Sequence, residues 1–180
     1  MRRYILLAAA TAALAACGSP DADADGDGEI SLEEAAAQTK DMVKPEAGKY
    51  RATVEMVDVE VPGAPKEVQE MMKQMISSGP QTHEYCLTKE EAEKGFEEMA
   101  RKSQDNDNCS FEKFEADGGS IDAVMNCSQG NQGTARMTMQ GTGTSTTSQM
   151  TMTMDAKGPD GQTMKMTMKS NQERIGDCDA

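Results

Sequence analysis

The sequence is poor in aromatic residues, with no tryptophan, three phenylalanines and three tyrosines among 180 residues. Few large side chains are therefore available to anchor a core, which must be built from Val, Ile, Met and Ala and will be thin. The hydrophobic content of 37% is enough for one ordinary domain with attachments. A fold with so small a core needs covalent reinforcement.

Positive charge is also scarce, because 18 Lys and Arg residues stand against 31 Asp and Glu residues, which gives a net charge of −13. Such a surface repels nucleic-acid phosphates and anionic lipid headgroups, so we expect no nucleic-acid partner and no membrane binding through basic patches. Cations are the small partners that this charge attracts. Histidine occurs once, and no nucleophile motif or phosphate-binding glycine loop is present, so we expect a protein that is not an enzyme.

One long apolar run is present, at the N-terminus, where a pair of arginines precedes residues 4–16. The run is shorter than the ~20 residues that a helix needs to cross a bilayer. This pattern is typical of an export signal, here residues 1–16. The closing Leu-Ala-Ala-Cys resembles the lipobox of bacterial lipoproteins, which predicts acylation of Cys17. Inner-membrane lipoproteins resemble one another in carrying Asp at the next position. Gly18 stands there instead, which favours sorting to the outer membrane, facing the periplasm. The alternative is an ordinary signal peptide that leaves Cys17 as a thiol.

Four cysteines remain after the lipobox cysteine, and an even number in an exported chain predicts two disulfides. Four thiols allow three pairings, and the sequence does not settle which one forms. We favour Cys109 with Cys127, because the strands predicted on either side of a Gly-Gly turn set these residues opposite each other. Cys86 with Cys178 would then tie the end of the chain to its middle. Zinc is a remote alternative, since no Cys-x-x-Cys cluster is present.

The sharpest motif is an acidic 12-residue segment, 23–34, that matches an EF-hand loop. Its carboxylates stand at the offsets from which oxygen atoms bind calcium, which is the expected cofactor. Gly28, at the sixth position, permits the bend around the ion. Ile30, at the eighth position, is the apolar residue that packs such a loop against a neighbour. The predicted ligands are Asp23, Asp25, Asp27, the backbone carbonyl of Glu29, Ser31 through a water, and Glu34.

Only half of an EF-hand is present, however. Ser31 and Glu34 form a capping box that predicts a helix ending before Pro45. The helix that normally precedes the loop is missing, and no second loop is available to pair with Ile30. We therefore expect weak calcium binding, with a dissociation constant of about 10⁻⁴ to 10⁻³ M. The alternative is that the aspartates form only an acidic tether that holds the domain off the membrane.

The body of the chain alternates apolar and polar residues, which predicts an α+β, mainly β domain. We expect an antiparallel sheet or sandwich of about five to seven strands with two inserted helices. The strand predicted over 48–61 slips its phase near Met56, which indicates a bulge. One helix is predicted over 66–77 and the other after the capping box at Thr88. The first helix carries an apolar stripe, Val68, Met71, Met72, Met75 and Ile76, expected to cover the sheet. The buried face expected on the second helix includes Ala92, Phe96 and Met99. The predicted order is signal peptide 1–16, lipidated cysteine and tether 17–22, half EF-hand 23–43, and β-rich domain 44–180.

The C-terminal strands carry methionine at alternate positions, which places these side chains on one face of the sheet. In the favoured interpretation they fill an irregular core beneath the inserted helices. Two alternatives stay open: a flexible groove that binds an apolar ligand or an envelope protein, and a set of soft sulfur ligands for Cu(I). His83, the sole imidazole, is expected to be a solvated strand residue. The methionines are Met137, Met139, Met150, Met152, Met154, Met164, Met166 and Met168.

Residues 43–56, the spaced cysteines and the closing Arg-Ile-Gly-Asp-Cys resemble the domain-of-unknown-function 3617 family of proteobacterial exported proteins. The resemblance covers about residues 43–180 and departs from the pattern at Tyr50, where members often carry Trp. It implies a cell-envelope location, disulfides and a β-rich domain, and it brings no activity or catalytic residues. The sequence as a whole predicts a lipid-anchored envelope protein that acts as a binding or structural module.

Overall fold

The computed structural model of the protein describes residues 22–95, 108–128, 130 and 133–179. The predicted signal peptide, 1–16, and Cys17 lie outside this described part, as do Phe96 and Met99 of the second predicted helix. No helix within the described residues is long and apolar enough to span a bilayer.

The described strands form one antiparallel sheet. They are β1 (Gly48–Glu60), β2 (Gln81–Leu87), β3 (Cys109–Asp117), β4 (Ser120–Ser128), β5 (Thr134–Gly143), β6 (Thr147–Lys157) and β7 (Thr163–Gly176). Their spatial order is β2-β1-β7-β6-β5-β4-β3, so five strands follow one another as hairpins while β1 lies between β2 and β7. The sheet is open, with β2 and β3 at its edges. The predicted α+β, mainly β class is confirmed, in its single-sheet rather than its sandwich form.

Short helices precede the sheet and connect its first strands. α1 (Leu32–Gln38) begins at the capping box and continues into a 3₁₀ turn, Thr39–Asp41, as the predicted half EF-hand requires. α2 (Lys66–Ser77) joins β1 to β2, and a helical segment over residues 89–95 follows β2. Both inserted helices are therefore present, and the second one begins with the predicted cap, since the Thr88 hydroxyl accepts from the backbone N–H of Glu91 at 3.2 Å.

The expectation that α2 buries an apolar stripe is wrong. No residue of this helix is buried, and Met71 and Met75 keep 53% and 46% of their surface exposed. The main packing partner of α2 is β1. One strand offers a narrow surface, so a stripe of five apolar residues is left only partly covered.

The bulge predicted in β1 is confirmed. Met56 pairs with Met168 of β7, and the next pair joins Asp58 to Thr167, so Val57 is the extra residue. An unpaired residue shifts the side-chain phase by one position, which explains why alternation changes sign there.

The core is thin and lies where α1 packs on β3. Ala35 of α1 is fully buried against Phe111 and Phe114, whose rings meet edge to face at 5.0 Å between centroids. Ile30 and Ala123 complete the buried cluster, and partly buried methionines of the neighbouring strands lie against it. Tyr50 and Ala52 of β1 and Ala92 of the helical segment are also buried, so apolar residues are buried toward both edges of the sheet, with the aromatic pair at the β3 edge.

Two disulfides reinforce this small core, with the favoured pairing. Cys109 and Cys127 stand opposite each other in the β3–β4 hairpin and are bonded. Cys86 on β2 is bonded to Cys178, just after β7. Each bond therefore lies near one edge of the open sheet.

Candidate functional site

The EF-hand-like loop gathers three of its predicted ligands. Carboxylate oxygens of Asp23, Asp25 and Asp27 lie within 4.8 Å of one another, and Asp25 and Asp27 are exposed. Such a group of negative charges is favourable only if a cation or solvent compensates their repulsion. The chain thus brings hard oxygen donors together at its N-terminal end.

Backbone N–H groups hold these carboxylates in place. Asp23 accepts hydrogen bonds from the N–H groups of Gly26 at 2.8 Å and Gly28 at 2.9 Å. Gly28 has a φ of +90°, a conformation that only glycine adopts without strain, so the sixth position bends as the motif predicts. Asp27 accepts from the N–H of Glu29 at 2.8 Å, which continues the turn beyond the cluster.

Glu34, the predicted twelfth-position ligand, closes the loop. Its two carboxylate oxygens accept from the N–H groups of Ala24 and Ser31, each at 2.8 Å. The N–H and hydroxyl of Ser31, followed by the N–H of Ala24, lower the pKa of this carboxyl, so Glu34 is a carboxylate at neutral pH. Ser31 caps α1, since its hydroxyl accepts from the N–H of Glu34 at 3.2 Å. The two ends of the loop are therefore joined through one side chain.

Ile30 has a partner, contrary to the expectation drawn from the missing second loop. Its N–H donates to the carbonyl of Phe111 at 2.9 Å, and the N–H of Phe111 donates back to Ile30 at 2.7 Å. This isolated antiparallel bridge places the eighth position of the loop on the edge strand β3. A strand of the β-rich domain thus takes the place of a second EF-hand loop, which no local sequence pattern reveals.

A cavity of about 670 Å³ separates the loop from the neighbouring strand ends. Asp25, Asp27 and Glu34 line one side of it, and Arg136 and Asp155 line the other. Arg136 is engaged by Glu112, with its guanidinium 3.0 Å from a carboxylate oxygen. Among the residues that the structure describes, Arg136 is thus paired with Glu112 and not with the loop carboxylates.

The methionine face is the sheet surface that carries the eight methionines of β5, β6 and β7. Cross-strand pairing aligns them in rows, with Met139 beside Met152 and Met152 beside Met168, for example. None of the eight is buried and none is fully exposed. Met139 packs against the buried cluster around Phe111 and Phe114, so this face continues the core on its β4 side. The filled core stays a prediction for the other seven methionines.

A cleft of about 1050 Å³ lies at one end of this face. Tyr50, Tyr85 and Ile121 line it, together with Thr88 and residues 90–95. The rings of the two tyrosines stack at 5.8 Å between centroids, and the hydroxyl of Tyr85 donates to the side-chain oxygen of Gln172 at 2.7 Å. The cleft thus combines an apolar wall with a few fixed polar groups, as small-molecule sites do.

The sequence analysis offered an apolar groove on the methionine face but missed its position at the end beside the two tyrosines, although a signal for that position is present. The methionine pattern is interrupted at Gly141 and Ser170, and these two residues fall in one register row with Met150 between them. Small side chains there leave space in front of the sheet. His83 is exposed on the edge strand β2, where a solvated strand residue was expected.

Comparison with known proteins identifies a family. The model of a family described as a protein of unknown function, DUF3617, matches residues 45–178. No curated protein and no solved structure matches the chain. The match includes all seven strands and both disulfides, and it excludes the EF-hand-like loop. The chain therefore belongs to the DUF3617 family.

Proposed function

We propose that the chain is a lipid-anchored envelope protein that binds calcium through its EF-hand-like loop and acts as a binding or structural module rather than an enzyme. The observation that carries the calcium proposal is the bridge between Ile30 and Phe111, because it gives the half EF-hand a fixed support while three carboxylates lie together beside it. An acidic tether would need neither feature.

The chemistry of the loop suits a hard cation. Calcium takes six to eight oxygen ligands and tolerates irregular geometry. Asp23, Asp25 and Asp27 supply carboxylates, Glu29 a carbonyl, and Glu34 a further ionised carboxylate. The sequence predicts no helix before the loop, so the loop should be less rigid than a complete EF-hand, with a dissociation constant of about 10⁻⁴ to 10⁻³ M.

Isothermal calorimetry of the full chain with calcium tests this proposal. We expect a binding heat in the wild-type protein and its loss in Asp25→Ala and Glu34→Ala. Glu33→Ala is the matched control, because this exposed carboxylate neighbours Glu34 and stands at a non-ligand position. Equal heats in all four proteins would leave only the tether.

Anchoring through Cys17 is the second part of the proposal, and it rests on the signal and lipobox pattern. The lipid places the domain at the outer membrane, in the calcium-rich and oxidising environment that the loop and disulfides need. Mass spectrometry of the N-terminal peptide from cells should show an acylated cysteine. A Cys17→Ser variant should lose the added mass and leave the membrane fraction, whereas an unmodified wild-type peptide would contradict the anchor.

The cleft favours a second candidate function, the binding of an apolar ligand. Its volume is in the range of small-molecule sites, and flexible methionines adapt to varied apolar shapes. A fluorescent naphthalene probe should bind the full chain and be displaced by a fatty acid. Met150→Gln should weaken probe binding, while Met71→Gln on α2 should not, since Met71 does not line the cleft. Equal binding by both variants would contradict this candidate.

A further inference from the structure

Methionines of three adjacent strands fall into two neighbouring rows at the centre of the methionine face. The rows are Met137–Met154–Met166 and Met139–Met152–Met168, running across β5, β6 and β7. Adjacent strands stand ~4.8 Å apart, and the rows are two residues, or ~7 Å, apart along each strand. Six thioethers therefore share a small area, and the three rotatable bonds of each side chain allow the sulfurs to converge.

Few other donors are present around these rows. The row on one side contains Gly141, Met150 and Ser170, and the row on the other contains Ala135, Ala156 and Met164. No carboxylate or imidazole of β5, β6 or β7 occupies any of the four rows. Within the described strands β5, β6 and β7, these rows are therefore rich in soft sulfur and contribute none of the charged oxygen ligands that hard cations need.

The state of the described cysteines also favours thioethers as the available sulfur ligands. All four described cysteines are oxidised in disulfides, so they offer no thiolate. Thioethers do not form disulfides and stay available as ligands in an oxidising compartment. The row methionines are half-buried, which keeps them accessible to an ion while limiting water around it. The net charge of −13 attracts cations to the surface.

We propose that these two rows form a thioether site for one Cu(I) ion. Soft thioether ligands select Cu(I), whereas calcium requires hard oxygen donors. The chain then separates two cations by ligand chemistry, with calcium at the N-terminal loop and Cu(I) on the sheet. The copper site depends on neither the calcium loop nor the lipid anchor, so it can fail or succeed independently of them.

Competition with a chromogenic Cu(I) chelator under anaerobic, reducing conditions tests the site. The full chain should withdraw about one equivalent of Cu(I) from the chelator. The triple variant M137L/M154L/M166L should bind roughly tenfold more weakly or worse, a loss typical of damaged metal sites. Leucine has a similar volume to methionine, so packing is conserved. The matched control is M71L/M72L/M75L, which removes three methionines from α2. Failure of the wild-type chain to withdraw Cu(I), or equal affinity of both triple variants, would overturn the proposal.

A measurement on the wild-type chain covers the case in which the row variant does not fold. With ¹³C-methyl methionine, Cu(I) should shift the methyl resonances of row residues such as Met152 and Met154 and leave those of Met71 and Met75 in place. Cu(I) is diamagnetic, so the shifted signals remain visible. Shifts confined to the α2 methionines, or no shift at all, would overturn the site.

Discussion

At the scale of single residues, Tyr50 connects segments that are distant in the sequence. The residue is 3% exposed. Its hydroxyl donates toward two backbone carbonyls, that of Glu46 at 2.8 Å and that of Ser145 at 3.1 Å. Burial raises the pKa of this hydroxyl, although the nearby Arg174 opposes the rise and Glu46 adds to it. Tyr50 thus joins the segment before β1 to the β5–β6 turn through one hydroxyl group.

We expect Tyr50→Phe to lower the free energy of unfolding by about 1 kcal/mol, because two carbonyls lose a buried donor. A folded-state pKa above the unfolded value of about 10 means that the neutral hydroxyl contributes fully below that pH and that the contribution is lost as the pH rises through the folded pKa. Urea titrations between pH 7 and 11 should therefore show a smaller alkaline loss in the variant. An unchanged alkaline slope would contradict this role.

At the scale of elements, local patterns determine bounds and long-range packing determines burial. The sequence predicts α2 over 66–77, and the structure has it over the same residues, because a 3.6-residue apolar period and the Gly-Pro after it are local signals. The surface against which α2 packs, in contrast, depends on residues that are distant in the sequence. The apolar stripe meets mainly the narrow β1 surface, so the sequence overestimates its burial.

Substitutions should distinguish the exposed apolar residues of α2 from the buried apolar residues of the core. We expect Met71→Gln on α2 to change the free energy of unfolding by about 0.5 kcal/mol or less, since its side chain is largely exposed. Phe111→Ala should cost about 3 to 5 kcal/mol, because it empties the core that α1 covers. Chemical denaturation of both variants measures the difference, and similar losses would mean that α2 is covered in solution.

We also expect the two disulfides to contribute unequally to the free energy of unfolding. Cys86–Cys178 spans 92 residues and Cys109–Cys127 spans 18. Loop-closure entropy in the unfolded chain predicts stabilisation of about 4.6 and about 3 kcal/mol, respectively. Paired Cys→Ala variants, made in a Cys17→Ser background to avoid thiol exchange, should therefore rank in this order in urea titrations. The reverse order would show that native packing near β3 outweighs chain entropy.

At the scale of the whole molecule, the loop and the β-rich domain form one unit. The clustering of the loop carboxylates was predictable because twelve consecutive residues carry the motif. The support of Ile30 by Phe111 was not predictable, since 81 positions separate them in the chain. The same limit applies to the cleft, which depends on strand register. Calcium bound at the loop should consequently stabilise the sheet as well.

Thermal unfolding measures this coupling. At about 10 mM calcium and a dissociation constant of about 1 mM, we expect a stabilisation of about 1.4 kcal/mol, equivalent to a rise of about 3 to 6 °C in Tm. Glu34→Ala should show no rise, and sodium chloride at matched ionic strength controls for charge screening. A calcium-bound loop without a change in the unfolding of the sheet would show that the two parts are independent.

The position of β1 has a consequence for the order of assembly. β1 emerges early from the ribosome, but the strand on one side of it, β7, is the last of the seven to be made. One edge of β1 therefore stays unpaired until β7, the last of the seven strands in chain order, has been synthesised. Joining such remote segments slows folding, because the closure of a long loop precedes any gain from the contact. A chaperone that binds the nascent chain would therefore be needed for longest at β1.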